Sequence, residues 1–409
     1  MTTHWGIDLG TSNTTVAEDR TGSPRVVHLP ALVKPEPLTQ TPVIPSCVCI
    51  MDDRAETVLI GQKALEYNWD GRAEAWATGF KRYLGSEHQR VLARSGKRAF
   101  TARDVARLFL RELVAALEEH SGERVEDLCL AVPSDAFETY RAELRGAVEA
   151  LDGSSGIGRL WKRLRGKAPR RTLRFVDEPV AAALGYGVDI GRGGTMVAFD
   201  FGAGTMEAAM IRTSGPDALR TGRAEVLAKV GTRLGGDDVD RWILEALVPK
   251  TLHDWPEWEV ALRWEAERTK LLASAGREGS FTFRNETLGT LDRDGLDWIL
   301  HDRGMHARME DLLGRLMEDA RARHGIEVAD VDDVLLEGGS TLLPGVRDRI
   351  GHTFGRDRVR EWLPFESVAR GACLFAGGGQ VEDFIYHDYG IRVRRNDGRE
   401  EYELLIEHG

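Results

Sequence analysis

The sequence predicts an α/β protein of duplicated architecture, with helices covering mostly buried sheets. Three observations predict it. Trp5–Ala17, Met196–Ile211 and Asp333–Pro344 share one grammar: an apolar strand, an acidic residue, then a turn rich in Gly, Ser or Thr. The first two continue past the turn into apolar residues and lie about 190 residues apart in a chain of 409. Long stretches with apolar residues at helical spacing alternate with further strand-like runs.

The elements follow in order. In Trp5-Gly-Ile-Asp-Leu-Gly-Thr-Ser-Asn-Thr-Thr-Val-Ala17 the chain continues past its turn into apolar residues, so it reads as a β-hairpin rather than strand to helix. Pro45-Ser-Cys-Val-Cys-Ile50 reads as an alternating strand. Cys47 and Cys49 have a spacing that can bind metal, but no His or Cys pair lies nearby, and core packing is the reading adopted. Val105, Leu108, Phe109, Leu113 and Leu117 give a helix over 102–119 with Thr101 as N-cap. Residues 152–174 open with Asp-Gly-Ser-Ser-Gly and hold eight basic residues against one acidic, a basic insertion read as a solvated loop. Its alternative is a docking patch at 159–174 for an acidic partner or nucleic acid, with Trp161 and Leu164 sharing a helical face beside Lys162, Arg163 and Arg165.

Met196–Ile211 reads as the second hairpin, 257–275 and 305–324 as helices, and Asp333–Pro344 as a strand and Gly-rich turn running into a helix. Trp255, Trp258 and Trp264 read as core or subdomain-edge packing, and His4, His324, His352 and His408 as surface or structural. After Gly377-Gly-Gly-Gln380, strand-like runs at 391–395 and 402–406 flank Asn396-Asp-Gly398, a hairpin signal.

Composition bounds the function. Apolar residues are 42% and charged residues 30%, the balance of a soluble globular chain with sizeable cores. A formal charge of −11 argues against a general nucleic-acid or anionic-membrane coat. No run approaches the roughly 18 apolar residues that cross a bilayer, so no membrane association is expected. The first residues lack a secretory signal, and four cysteines in so long a chain are no disulfide framework. The expected compartment is the cytoplasm.

A Gly-rich turn lets backbone N–H groups approach phosphate oxygens, with hydroxyls as further donors. A carboxylate beside it would repel a bare phosphate, yet it can hold a hydrated Mg²⁺ that bridges phosphates. Asp8 with Thr11–Thr14, and Asp200 with Gly202–Thr205, therefore read as two jaws on one nucleotide. The chain has no Gly-x-x-x-x-Gly-Lys-Ser/Thr run, and no Gly-x-Gly-x-x-Gly opens a helix after its first strand.

With these motifs in place, the sequence resembles the actin-like ATPase superfamily, and specifically the DnaK-type seventy-kilodalton heat-shock chaperones. Asp8-Leu-Gly-Thr-Ser-Asn-Thr14 looks like the first phosphate motif, and Phe80-Lys-Arg-Tyr-Leu-Gly85 like the segment with the catalytic lysine, here Lys81. Ala131-Val-Pro-Ser-Asp-Ala-Phe137 with Arg141 looks like the proline–arginine switch. Val176-Asp-Glu-Pro-Val-Ala-Ala-Ala-Leu-Gly-Tyr-Gly187 is similar to the connecting motif, with its glutamate at Glu178. Asp200-Phe-Gly-Ala-Gly-Thr205 looks like the second phosphate motif, and Gly231–Asp240 like the segment after it. Glu267-Arg-Thr-Lys-Leu-Leu-Ala-Ser274 and Gly338-Gly-Ser-Thr-Leu-Leu-Pro344 look like the adenosine-binding elements.

The resemblance implies an actin-like ATPase fold of two lobes with a duplicated core, a nucleotide cleft between them and an outer subdomain on each. Lobe I would be 1–187 (outer subdomain about 32–119) and lobe II 188–379 (outer subdomain about 232–308). Residues 380–409 would be an interdomain linker and the start of a truncated β-domain. ATP or ADP with Mg²⁺ is the implied cofactor, and Asp8 and Asp200 would hold the metal through water. Lys81, Glu178 and Thr205 would join them in catalysis. Gly10, Thr11, Ser12, Asn13, Gly202, Ala203 and Gly204 would contact phosphates, with Gly235 and Gly236 beside them. Glu267, Lys270, Leu271 and Ser274, with Gly338, Gly339, Ser340 and Leu342, would form the adenosine pocket. Implied partners are a co-chaperone and an exchange factor, with no peptide client for this chain.

Several positions depart from the family's pattern. Leu271 and Leu342 stand where two arginine stems usually sandwich adenine, a loss of about 0.5–2 kcal/mol by cation–π magnitudes. Weaker ADP binding and faster exchange are expected, and arginine at both positions is expected to tighten ADP in calorimetry. Glu207 replaces an aspartate of the second motif, and Phe365 an aspartate of the closing region. The alternative reading is a nucleotide-sensing scaffold or regulatory protein of the same fold with little or no ATPase activity. A polymer-forming actin relative is disfavoured by the chaperone-like motifs, and no second-substrate motif supports a sugar kinase.

Overall fold

The computed structural model describes residues 2–68, 71, 73–86, 88–133, 138–151, 171–215, 224–249, 259–361, 363–378, 389–394 and 400–406. β1 (His4–Leu9) and β2 (Asn13–Asp19) form the first hairpin, with Leu9 opposite Thr14. β3 (Arg25–Val26), β4 (Lys34–Pro35) and β5 (Pro42–Pro45) extend it on the β2 side. β6 (Cys47–Asp52), β7 (Thr57–Ile60) and β8 (Trp76–Thr78) make a small sheet, and β9 (Val91–Ser95) pairs with β10 (Arg98–Thr101). β11 (Asp127–Val132) then returns parallel to β1, and β12 (Thr172–Asp177) parallel to β11.

The second half repeats this plan. β13 (Gly194–Phe201) and β14 (Met206–Thr213) form a hairpin, and β15 (Glu225–Thr232) runs antiparallel beside β14. β16 (Gly279–Phe283) and β17 (Glu286–Leu291) pair separately. β18 (Asp333–Glu337) lies parallel to β13, and β19 (Val359–Arg360) parallel to β18. The orders β12-β11-β1-β2 and β19-β18-β13-β14 therefore match in sequence and in strand direction. β20 (Tyr389–Arg394) and β21 (Glu400–Ile406) form an antiparallel pair, as the hairpin signal predicts.

Each half has its own apolar core. Trp5, Ile7, Leu9, Phe100, Phe109 and Leu113 pack in the first, and Phe199, Phe201, Met309 and Leu312 in the second. The helix Ala102–Ser121 buries its stripe because Val105, Leu108, Phe109, Leu113 and Leu117 recur on one face. Thr101 caps it reciprocally with Asp104, and Gly122 ends it in the left-handed region at φ 69°. Thr101→Ala is expected to cost about 1 kcal/mol in denaturant unfolding.

A third core joins the halves: Val180, Ala181, Ala182 and Ala183 meet Ala372 and Ala376, with Met196 and Leu335 alongside. Here the helices Glu178–Gly185 and Ser367–Gly378 touch backbone to backbone. A Cβ on Gly371 would fall 1.7 Å from the Ala181 carbonyl oxygen, and one on Gly185 1.8 Å from that of Ser367.

Some local expectations shift. The Cys47–Ile50 strand does not alternate: all four residues are buried, because both faces of β6 are covered, Val48 and Ile50 by the first core and Cys47 and Cys49 by the cluster with Ala64. Cys47 and Cys49 pack with Ala64, in keeping with the core reading. Trp264 is 37% exposed rather than core. Residues 172–174 belong to β12, which shortens the basic insertion at its end. The insertion's body at 152–170, Trp255 and Trp258, Ser134–Phe137 of the switch-like segment, the linker at 380–388 and Asn396–Gly398 lie outside the described residues. Among the described residues no helix is long and apolar enough to cross a membrane.

Candidate active site

Asp8 is the penultimate residue of β1 and Asp200 of β13, so each carboxyl stands at a strand end just before its turn. Both turns open on one cavity of about 480 Å³. The first turn is braced by Ser46, whose N–H donates to the Ser12 carbonyl at 2.7 Å and whose hydroxyl donates to the Gly10 carbonyl at 2.8 Å. In the second, the carbonyls of Gly202 and Ala203 accept from the N–H groups of Gly236 and Asp237, at 3.1 and 2.7 Å. These amides open the helix Gly236–Leu247, so the turn itself caps that helix. The Ser340 hydroxyl donates to the Gly202 carbonyl at 2.9 Å and ties the third Gly-rich segment to the second turn.

Lys81 comes from a short 3₁₀ turn, Phe80–Tyr83, anchored by the fully buried Phe80 against Phe109. Its ammonium donates to Glu178 Oε1 at 2.7 Å, and Glu178 opens the helix Glu178–Gly185. Arg82 reaches the second turn: a Cβ on Gly204 would lie 1.9 Å from its Nη2. At the other end, Lys270 pairs with Asp240 at 2.8 Å and donates to the Gly236 carbonyl at 3.2 Å. Lys34 and Glu267 approach to 3.9 Å beside it.

The cavity brings together Asp8, Gly10, Thr11, Ser12, Asn13, Lys81, Glu178, Asp200, Gly202, Ala203, Gly204 and Thr205. Gly236, Glu267, Lys270, Leu271, Gly338, Gly339 and Ser340 also line it. Three residues marked in the sequence do not. Gly235 sits behind the second turn, its Cβ position 2.1 Å from the Ala203 carbonyl oxygen. The Ser274 carbonyl, at the end of its helix, accepts from Arg293 at 2.7 Å. Leu342 ends the 3₁₀ turn Gly339–Leu342, and Leu343 takes the lining position.

Sequence reasoning missed Arg82, Asp240, Leu343 and Glu337, and treated Phe365 only as a lost polar contact. Phe365 lines the cavity with its ring against Gly339, whose Cβ position lies 2.6 Å from the ring. It extends the apolar wall of Leu271 and Leu343. Arg82 was legible as the neighbour of Lys81, and Glu337 as the acidic residue between an apolar run and a Gly-Gly-Ser-Thr turn.

The electrostatics suit a hydrated divalent cation. Burial pushes the Asp8 carboxyl up to about 7, with Lys81 opposing and Glu178 and Asp200 reinforcing. Burial and Glu178 push Asp200 up to about 6 against the pull of Lys81. Burial would lower Lys81, but Glu178, Tyr140 and Asp8 outweigh it and hold the ammonium above the usual lysine range. Glu337 is driven well above the carboxylate range by burial, then by Asp200, Glu178 and Asp8. Such a cluster calls for positive charge. Among the described residues no three His, Cys, Asp or Glu side chains stand close enough to ligate a bare ion.

These shifts carry a pH sign. Asp8 and Asp200 hold protons in the folded chain that the unfolded chain has released, so their contribution to stability falls as pH rises from about 4 to about 7. Added Mg²⁺ and ADP are expected to reverse that decline, measured as the melting temperature at pH 5 and pH 7.5 with and without ligand.

A family model described as Hsp70 protein matches residues 4–393 of the chain. Members of that family are ATPases of actin-like fold that bind ATP or ADP with Mg²⁺, the type of site that the two turns, the paired lysine and the strand-end carboxylates compose. The matched span takes in both sheets and every residue of the cavity, and the chain belongs to the Hsp70 family of chaperone ATPases.

Proposed function

We propose that this chain is the ATP-binding and ATP-hydrolysing domain of a DnaK-like chaperone, working slowly and with Mg²⁺. In this reading 1–187 and 188–379 are two lobes, and nucleotide state sets their rotation and the docking of the linker. The observation that carries it is the convergence of both Gly-rich turns, Lys81, Asp8 and Asp200 on one cavity.

Phosphoryl transfer to water needs in-line positioning and charge neutralisation more than covalent chemistry. The turn amides and the hydroxyls of Thr11 and Thr205 would hold phosphate oxygens. Lys81, fixed by Glu178, aims a permanent positive charge at the transferring group. Asp8 and Asp200 accept hydrogen bonds from water and orient the attacking molecule. Bound Mg²⁺, held through its waters by Asp8 and Asp200, would supply further charge neutralisation on the phosphates. Leu271, Leu343 and Phe365 offer apolar faces to a purine. Because Leu342 lies outside the lining, Leu271→Arg alone is the substitution expected to tighten ADP, by up to about tenfold, in calorimetry.

Four buried free cysteines support a reduced, cytoplasmic compartment. A co-chaperone and an exchange factor are the proposed partners, and the basic insertion remains the proposed contact for an acidic one. A second reading, a nucleotide-sensing scaffold, is favoured by Glu207, whose carboxylate stands 3.2 Å from Lys229. Single-turnover hydrolysis by wild type and Lys81→Ala separates the two: a lysine-dependent rate supports the ATPase, and no measurable rate in wild type supports the scaffold.

A further inference from the structure

We infer that Glu337 is an additional carboxylate of the cation site, accepting hydrogen bonds from the water shell of a divalent cation beside Asp200. This rests on the nucleotide reading above. Glu337 ends β18 and is the register partner of Asp200, while Glu207 is its partner on β14. Three adjacent strands therefore set Glu207, Asp200 and Glu337 in one row. The matching row of the first sheet is Thr15, Asp8 and Ala131. Where the duplicated frame carries an alanine in one half, it carries a carboxylate in the other, so the sheet does not require it.

Glu337 is only 8% exposed, and its Oε1 is buried with no hydrogen-bond partner among the described residues. It nonetheless lines the cavity. A carboxylate enclosed in this way is costly unless a cation or a donor faces it. Lys81 is already engaged by Glu178 at 2.7 Å, and Asp8, Asp200 and Glu178 are acidic themselves. A hydrated divalent cation supplies what is missing, since it brings two positive charges and its waters donate to carboxylate oxygens.

The full chain, as wild type, E337Q and E337V, is titrated with ADP by calorimetry in EDTA and in Mn²⁺. Mn²⁺ is also titrated into the ADP complex and followed by electron paramagnetic resonance. Both variants are expected to lose about tenfold in Mn²⁺ affinity. By linkage, the tightening of ADP by Mn²⁺ falls by the same factor, while ADP affinity in EDTA stays within about threefold. An unchanged tightening overturns the inference, and so does an equal loss of ADP affinity in both buffers, which is what a merely structural role gives. If E337V does not fold, E337Q decides, since it keeps the size and removes the charge. A wild type that binds no ADP in either buffer contradicts the nucleotide reading itself; wild-type coupling matched by E337Q contradicts only the role of Glu337.

Discussion

Replacing Lys81 with alanine is expected to lower the single-turnover rate of ATP hydrolysis by about 100-fold or more, with ADP binding changed far less. The side chain enters the cavity from an anchored 3₁₀ turn and meets Glu178 at 2.7 Å. Glu178, Tyr140 and Asp8 outweigh burial and keep the ammonium protonated well beyond neutral pH, so it acts as a fixed charge and not as a proton carrier. In the proposed mechanism its value lies in the transition state, where charge spreads over the transferring oxygens. An ammonium already placed there costs no reorganisation. Its loss also leaves Glu178 without its ion pair beside Asp8 and Asp200. Lys81→Arg keeps the charge but spreads it over a bulkier planar guanidinium in place of a compact ammonium, and should fall between. Rapid-quench measurement of phosphate release decides it; a Lys81→Ala rate within threefold of wild type would remove the lysine from the mechanism.

The second large effect is expected in the core, at the crossing of the helices Glu178–Gly185 and Ser367–Gly378. An added methyl at Gly185 or Gly371 meets a backbone carbonyl oxygen at 1.8 or 1.7 Å, far inside contact distance. Neither obstacle is the loose end of a side chain, so the helices themselves must separate. The surrounding alanines 181, 182, 183 and 372 are fully buried and leave no slack. Each of Gly185→Ala and Gly371→Ala should cost about 3 kcal/mol or more, read as a lower denaturant midpoint at unchanged slope. The movement also reaches the site, because Glu178 opens the first of these helices. Gly146→Ala is the control: its added Cβ meets nothing within 4 Å, and in a helix interior it should be neutral or stabilising by up to about 1 kcal/mol. A Gly185→Ala midpoint indistinguishable from wild type would show that the crossing is not tight.

Much of the site is legible in the sequence because its parts are local. Asp8 and Asp200 are recognisable from an apolar run that stops at a carboxylate and a glycine turn, and the strand-end placement follows from the same few residues. Thr101 and the helix it caps are legible for the same reason. What escapes depends on pairing between distant segments. Glu337 stands out in the sequence as an acidic residue before a Gly-rich turn, but nothing within β18 says that Asp200 lies beside it. Arg82 follows Lys81 in sequence, but that it lies over the second turn is a fact of folding. Leu342 and Leu343 show the limit at short range: one step along a 3₁₀ turn swings a side chain by about a third of a turn, enough to exchange which leucine lines the cavity. Cys47–Ile50 reads as an alternating strand until the packing on both of its faces is known.

Calorimetric titration of the full chain with ADP in the presence of Mg²⁺ tests the central claim most directly. The site described here predicts saturable binding of one nucleotide per chain, weakened when Mg²⁺ is removed. Absence of saturable heat, or binding indifferent to Mg²⁺, would contradict it.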